Sequence, residues 1–263
     1  MKRSNIGWIQ KTTLIDYPGK VAATIFLYGC NFRCPFCHNP ELVVDKPSEN
    51  LIGLEEMARF VRARAGLLDG IVFCGGEPLI HIKKSMFSHK VYDNANKYLD
   101  SEGCYDNFPI SNLLDLIIYT KINGYKVKID TNGSFPEIIK LLSDLHLVDL
   151  WAMDIKNSPA EYNKSAGVKV DFQNILKSID IIKSSGIDHI FRTTFLPDLH
   201  SKDSVIEIGS LLNGADEFHI QNFTPGKTVN PLYSDKESFK YSELRVFKKI
   251  LKNYVKRVEI LDE

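Results

Sequence analysis

The sequence predicts an α/β fold, an open parallel sheet or a partial barrel in which each strand is followed by a helix. Three observations predict it. Short apolar, β-rich runs alternate with longer amphipathic stretches along the chain. The runs number six, two short of a closed eight-stranded barrel. The unusual polar residues collect just after the runs, where the loops of a parallel sheet face one common mouth.

Strands are expected at 21–27, 71–74, 126–129, 149–155, 189–195 and 217–223. Helices are expected between them at 54–65, 112–123, 136–145, 172–185 and 203–212. The helix from Phe172 is the clearest, with Phe172, Ile175, Leu176, Ile179 and Ile182 on one face and Gly186 as its stop. Pro136 suits the first turn of the helix it opens. A closing helix at 238–254 carries Glu243, Phe247, Ile250, Leu251 and Tyr254 at helical spacing. Residues 1–263 read as a single domain, since no Pro/Gly/Ser-rich linker divides them. One stretch, 81–109, is about 29 residues of Lys, Asn, Ser, Asp and Tyr where a βα loop would be a few residues long, and it reads as an insertion.

Composition removes several classes. A chain of 263 residues buries a core without covalent staples, so a small disulfide scaffold is excluded. With 33 Lys+Arg against 33 Asp+Glu there is no global pull toward phosphate backbones, so non-specific nucleic-acid binding is disfavoured. The basic residues Lys240, Arg245, Lys248, Lys249 and Lys252 are expected to be the solvated face of the closing helix. No apolar run approaches a membrane span, and the N-terminal stretch has no apolar core of an export signal. Five cysteines, three of them within eight residues, do not make a disulfide framework, and a reducing cytoplasm is the expected compartment.

After the first strand come Cys30, Cys34, Cys37 and His38, and after the second Gly75-Gly76-Glu77-Pro78. The third is followed by Asp130-Thr131-Asn132-Gly133, the fourth ends in Asp154-Ile155-Lys156, the fifth contains Arg192, and the sixth ends in Gln221-Asn222. Singly, each could be an ordinary turn, loop or surface ion pair. The thiols admit four readings. A dithiol redox pair Cys34/Cys37 leaves Cys30 unexplained. The string Cys34-Pro35-Phe36-Cys37-His38 fits c-type haem attachment, which usually follows export. Structural zinc would need His38 as a fourth ligand directly beside Cys37. Three thiolates on an iron–sulfur cluster leave one iron without a protein ligand, an open position that chemistry can use.

The spacing C-x3-C-x2-C, with Phe36 before the last cysteine and Gly75-Gly76-Glu77-Pro78 at the next strand end, resembles the radical S-adenosylmethionine (SAM) superfamily. The segment from Gly7 to Lys20 running into Val21–Leu27 and Cys30–Pro40 is similar to activating proteins of anaerobic ribonucleoside-triphosphate reductase, within the glycyl-radical enzyme activating family. The likeness covers roughly 6–80 and 110–225. It implies a partial (β/α)6 TIM-like barrel, the radical SAM core. It implies one 4Fe–4S cluster on Cys30, Cys34 and Cys37, which are thereby the catalytic cysteines, and S-adenosylmethionine chelated to the open iron. Reductive cleavage to a 5'-deoxyadenosyl radical and hydrogen abstraction from a glycine of the partner would follow. Gly75 and Gly76 would let backbone approach the methionine amino group, and Glu77 would hold the loop or accept from that amine. Phe36 would face the adenine, Asp130 the amino group, Lys156 the carboxylate and Asp154 the ribose, with Arg192 on the carboxylate or substrate side. The implied partners are the reductase large subunit and a flavodoxin or ferredoxin as electron donor.

Cys74 stands where such activases carry Ser or Thr, and is expected to be a buried strand-end filler. Cys104 is the one cysteine of the insertion, too few for an accessory cluster. His81 and His89 are expected to be loop residues, and docking of the partner by the insertion is a further expectation. Two other functions stay open: a radical enzyme on a small molecule, as in 7-carboxy-7-deazaguanine synthase, and a non-catalytic zinc or redox module.

Overall fold

Six of the strands stand where the apolar runs place them, and two more extend the sheet at its edges. The computed structural model describes residues 5–43, 51–86 and 108–261. Among them, β1 (Ile6–Thr13), β2 (Ala22–Leu27), β3 (Gly70–Gly75), β4 (Lys126–Thr131), β5 (Leu150–Asp154), β6 (Asp188–Phe195), β7 (Glu217–Asn222) and β8 (Arg257–Leu261) form one sheet in chain order. β1 pairs antiparallel with β2 and every other pairing is parallel. The two edges, β1 and β8, do not pair, so the barrel is open between them.

The expected set of six strands is therefore β2–β7, and β1 and β8 correct it. β1 contains consecutive polar residues (Gln10, Lys11, Thr12, Thr13) and two register shifts against β2, which spoil the two-residue alternation that marks a strand. β8 is a five-residue edge strand with Arg257 and Glu259 on alternate positions, a charged pattern typical of edges.

The helices are α1 (Pro40–Val43), α2 (Leu54–Ala63), α3 (Leu113–Ile122), α4 (Pro136–Asp144), α5 (Tyr162–Ala166), α6 (Phe172–Ser184), α7 (Lys202–Leu211) and α8 (Tyr241–Leu251). The starts of α3, α6 and α7 are set by side-chain caps. Asn112 accepts from the Asp115 amide, Asp171 from the Gln173 amide and Ser201 from the Ser204 amide. α6 buries Ile175, Ile179 and Ile182 as the pattern requires. The closing helix is shorter than expected, Tyr241–Leu251, because Ser238–Lys240 run in extended approach and the chain turns at 252–254 into β8. The 81–109 stretch falls for the most part on 87–107, outside the described residues, as do His89 and Cys104.

Registered residues of neighbouring parallel strands share a face, so Asp154, Arg192, His219 and Glu259 form one row across β5–β8 on the concave side. Near the N-terminal ends of the strands the inside is plugged by Tyr17, Ala22, Val72, Leu150 and Ile190. The helix-facing side carries the main core, with Phe73, Trp151, Phe191 and Phe218 fully buried. Space is thus left at the C-terminal ends of the strands, where the polar outliers lie. Among the described residues no helix is long and apolar enough to cross a membrane.

Candidate active site

The loop that follows β2 carries the three thiols and is tied down on several sides. The Gly29 amide donates to the Leu42 carbonyl at 2.7 Å and the Arg33 amide to the Ala166 carbonyl at 2.8 Å. The Val229 and Asn230 amides donate to the carbonyls of Cys37 and Pro35, each at 3.0 Å, and His38 stacks on Phe223 with ring centroids 5.2 Å apart. So held, Cys30, Cys34, Cys37 and the buried Phe36 line a cavity of about 220 Å3 together with Gly75, Gly76, Asp130, Asp154, Lys156 and Arg192. Every candidate residue of the sequence reading lines this cavity except Glu77.

The thiols set the donor chemistry of the cavity. Among the described residues, the donor atoms lying within 4.8 Å of one another as a set are those of Glu217, His219 and Glu259, and the three sulfurs are not such a set. Burial pushes the Cys30 thiol up to about 12 and the Cys34 thiol up to about 11, and raises Cys37 as well. Such thiols become thiolates when a metal supplies the compensating charge. The Phe32 amide already donates to Cys30 Sγ at 3.3 Å, and the Lys156 ammonium lowers the cost of charge at all three sulfurs. This donor set fits a polynuclear iron–sulfur group.

The Gly-Gly pair has a different physical reason from the expected one. Gly75 has φ +122° and a Cβ there would lie 2.3 Å from the Leu27 amide nitrogen; at Gly76 it would lie 2.0 Å from the Gly29 carbonyl oxygen. The glycines let β3 turn against β2 and the start of the thiol loop. Glu77 is fully buried beneath them. Its Oε1 accepts from the Leu79 amide at 3.1 Å and the Thr131 hydroxyl at 2.9 Å, and its Oε2 accepts from the Asn132 amide at 2.6 Å. Of its two anticipated roles the geometry provides loop holding, and the carboxylate does not reach the cavity. Burial raises its pKa to about 7 against the three donors. Asn132 in turn donates to the Asn31 side chain at 2.8 Å, so the β4 loop is linked to the thiol loop.

The cavity wall opposite the thiols is a chain of alternating charges. Lys156 pairs with Asp154 at 2.9 Å, Arg192 bridges Asp154 and Asp130 (3.1 Å to the latter), and Lys128 closes the row on Asp130. Burial opposes charge on both carboxylates, but Arg192 with Lys156 holds Asp154 well below the usual carboxylate range, and Arg192 with Lys128 lowers Asp130. Despite burial, Asp154 and then Cys34 keep Lys156 firmly cationic. Three cations face two anions, and the surplus positive charge lies toward the sulfurs. The arrangement suits an anionic group in the cavity.

Sequence reasoning missed Lys128, which is 3% exposed. Its signal was its position two residues before Asp130 on one strand, hence on the same face. It also missed His200, whose ring Nε2–H donates to the Lys156 carbonyl at 3.0 Å while Nδ1 accepts from the Leu196 amide at 3.1 Å. His81 was expected in a loop but ends a 3-10 turn, Pro78–His81, whose proline start sets it apart from a plain loop, and it ties strand ends together: Nε2–H donates to the Tyr28 carbonyl at 2.7 Å and Nδ1 accepts from the Asn5 amide group at 2.6 Å. Cys74 lies in the cavity wall and packs against the apolar plug, with burial holding its thiol far above the usual range.

A barrel with a three-thiol loop after its first parallel strand and a charged wall at the strand ends defines a class. The sequence family described as the radical SAM superfamily matches residues 24–209. A Methanocaldococcus jannaschii protein assigned as a glycyl-radical enzyme activating enzyme is 30% identical over 259 residues, covering 97% of this chain and 95% of its own. The chain therefore belongs to the radical SAM superfamily, and within it to the family of glycyl-radical enzyme activating enzymes. The pyruvate formate-lyase-activating enzyme of Clostridium pasteurianum is 25% identical over 222 residues, 81% of this chain and 77% of that one. Among solved structures, Streptococcus suis SuiB bound to S-adenosylmethionine superposes with a TM-score of 0.59 at 16% identity over 89% of this chain. This chain spans 48% of SuiB. Escherichia coli QueE superposes with a TM-score of 0.52 at 13% identity, covering 98% of this chain and 93% of its own. These two likenesses are of fold.

Proposed function

We propose that this enzyme generates a glycyl radical on a partner enzyme, the large subunit of an anaerobic ribonucleoside-triphosphate reductase. The observation that carries the reading is the meeting, in one cavity, of three spread thiols and a charged wall with surplus positive charge. The near full-length likeness to the M. jannaschii protein supports the protein-activating branch. The choice of reductase rests on the Gly7–Lys20 segment. That segment builds β1 and the turn into β2 and supports the reading as a family mark, apart from the cavity.

Cys30, Cys34 and Cys37 would hold one 4Fe–4S cluster. When bound, the cluster and S-adenosylmethionine supply one-electron cleavage of the sulfonium and removal of one hydrogen atom from the partner's glycine Cα. The chain's own residues do the rest. Lys156 and Arg192 attract a carboxylate, and Asp130 and Asp154 are hydrogen-bond acceptors for amine and hydroxyl groups. Phe36 offers an apolar face to the adenine, and Gly75 and Gly76 present bare backbone. A reduced flavodoxin or ferredoxin would deliver the electron, because three cysteines suffice for one cluster and the remaining two, Cys74 and Cys104, are single residues of β3 and the 81–109 stretch.

The test is anaerobic incubation of reconstituted protein with S-adenosylmethionine, reduced flavodoxin and either reductase or pyruvate formate-lyase. The expected result is 5'-deoxyadenosine with a glycyl-radical EPR doublet on the reductase alone. A doublet on the lyase alone would change the partner. Deoxyadenosine without a doublet on either would favour a small-molecule substrate.

A further inference from the structure

Lys128 carries its charge in a place with little to receive it. Its neighbours in register are Val72 on β3 and Leu150 on β5, both members of the apolar plug, and the residue is 3% exposed. Registered residues share a face, so its stem rises from the plug, and its ammonium has one ion-pair partner among the described residues, Asp130 Oδ1. An apolar side chain of the same length would fill this space without taking a charge out of water, and such replacements of buried ions are often neutral or stabilising. Lys128 does not line the cavity. The consequence of its charge lies in the groups above it.

Those groups form a row of fixed order. Asp130 Oδ2 accepts from Arg192 Nη1 at 3.1 Å, Arg192 Nε donates to Asp154 Oδ1, and Asp154 Oδ2 accepts from Lys156 Nζ at 2.9 Å. With Lys128 in place, Asp130 is balanced from below, Arg192 balances Asp154, and the charge of Lys156 is left over in the cavity wall. Arg192 also lines the cavity, and its Nη2 has no partner among the described residues. Without the charge of Lys128, Arg192 and Lys156 would serve two carboxylates between them, and the row would sum to zero.

We propose that Lys128 is a positioning residue for ligand charge: by neutralising Asp130 from beneath, it leaves Arg192 and Lys156 with one unbalanced positive charge toward the cavity, and so makes the site select a ligand that carries a carboxylate. The inference rests on the proposed reading of the cavity as a site for S-adenosylmethionine. Lys128 acts through Asp130 and Arg192 and touches no ligand. A buried charge is felt through the protein interior and is screened much less than a surface charge.

The test is anaerobic titration calorimetry of cluster-loaded, oxidised protein, with no reductant so that no turnover occurs. The probes are S-adenosylmethionine and decarboxylated S-adenosylmethionine, and the ratio of their affinities isolates the carboxylate. If the wild type binds neither, the reading of the site fails, and this inference with it. A wild type that binds both equally well would overturn the proposal alone. In Lys128→Met the ratio should fall about tenfold, while the decarboxylated probe binds as well as before or better. An unchanged ratio would overturn the proposal, as would an equal loss for both probes, which marks a scaffold role. Lys128→Gln keeps a donor for Asp130 without the charge and should show the same fall. A wild-type ratio in that variant would assign the effect to the hydrogen bond and contradict the role of charge. Asp130 keeps Arg192 in both variants, so both are expected to fold and to load the cluster. Failure of both to fold would place Lys128 in the scaffold and overturn the proposal.

Discussion

At the scale of single residues, the site is built by side chains that other side chains hold still. Glu77 shows this most plainly, since its three donors come from its own turn and from the β4 loop. In Glu77→Gln one amide donor would face an NH2 group, leaving a buried N–H unpaired. The expected loss is about 1–3 kcal/mol of stability by chemical denaturation, and an unchanged midpoint would show that the loop has another anchor. Gly76→Ala should be worse. Its Cβ would meet the Gly29 carbonyl at 2.0 Å, a backbone atom that cannot rotate away. We expect loss of soluble folded protein or a destabilisation of more than about 3 kcal/mol. Sequence reading found the Gly-Gly-Glu motif by resemblance but not the reason for it. That reason is the approach of β2 to β3, which becomes visible when the register Leu27↔Gly75 is known.

At the scale of elements, β4, β5 and β6 each contribute charges to one row, and the segment after β6 locks it from behind. His200 is the lock. Burial holds it down to about 4, below its ordinary 6.5, so it is neutral in the folded protein. As pH falls the unfolded chain takes up the proton first. The stability His200 contributes is therefore complete above pH 6.5 and lost as pH falls through 4, about 3 kcal/mol in all. Glu77 acts in the opposite sense, raised from 4.5 to about 7, so its contribution is present at low pH and lost as pH rises through 7. The comparison of wild type with His200→Gln cancels the Glu77 effect. Their stability difference should shrink by about that amount between pH 7 and pH 4, and a flat difference in urea titrations would show that His200 is not buried neutral.

Alternating strands and helices were legible in β2 to β7 because each has an apolar run ended by glycine or a polar group. β1 and β8 were not, since an edge strand with bulges or alternating charge lacks that pattern. The cavity could be assembled from sequence because parallel strands deliver their C-terminal residues to one place. What could not be read was the pairing within it, above all the burial of Lys128 against Asp130, which depends on strand faces.

For the whole molecule, a formal charge of zero conceals a local surplus of one positive charge in the wall beside the thiols. The sheet is plugged at one end by Tyr17, Leu150 and Ile190 and is open between β1 and β8. The account's central claim is hydrogen transfer from a partner's backbone glycine, and isotopic transfer tests it most directly. Reductase large subunit labelled with α-deuterated glycine is incubated anaerobically with this enzyme, S-adenosylmethionine and reduced flavodoxin, and the 5'-deoxyadenosine is analysed by mass spectrometry. The account predicts one deuterium in the deoxyadenosine formed, in step with growth of the glycyl-radical EPR signal. Deoxyadenosine that stays unlabelled, with no such signal, would contradict it.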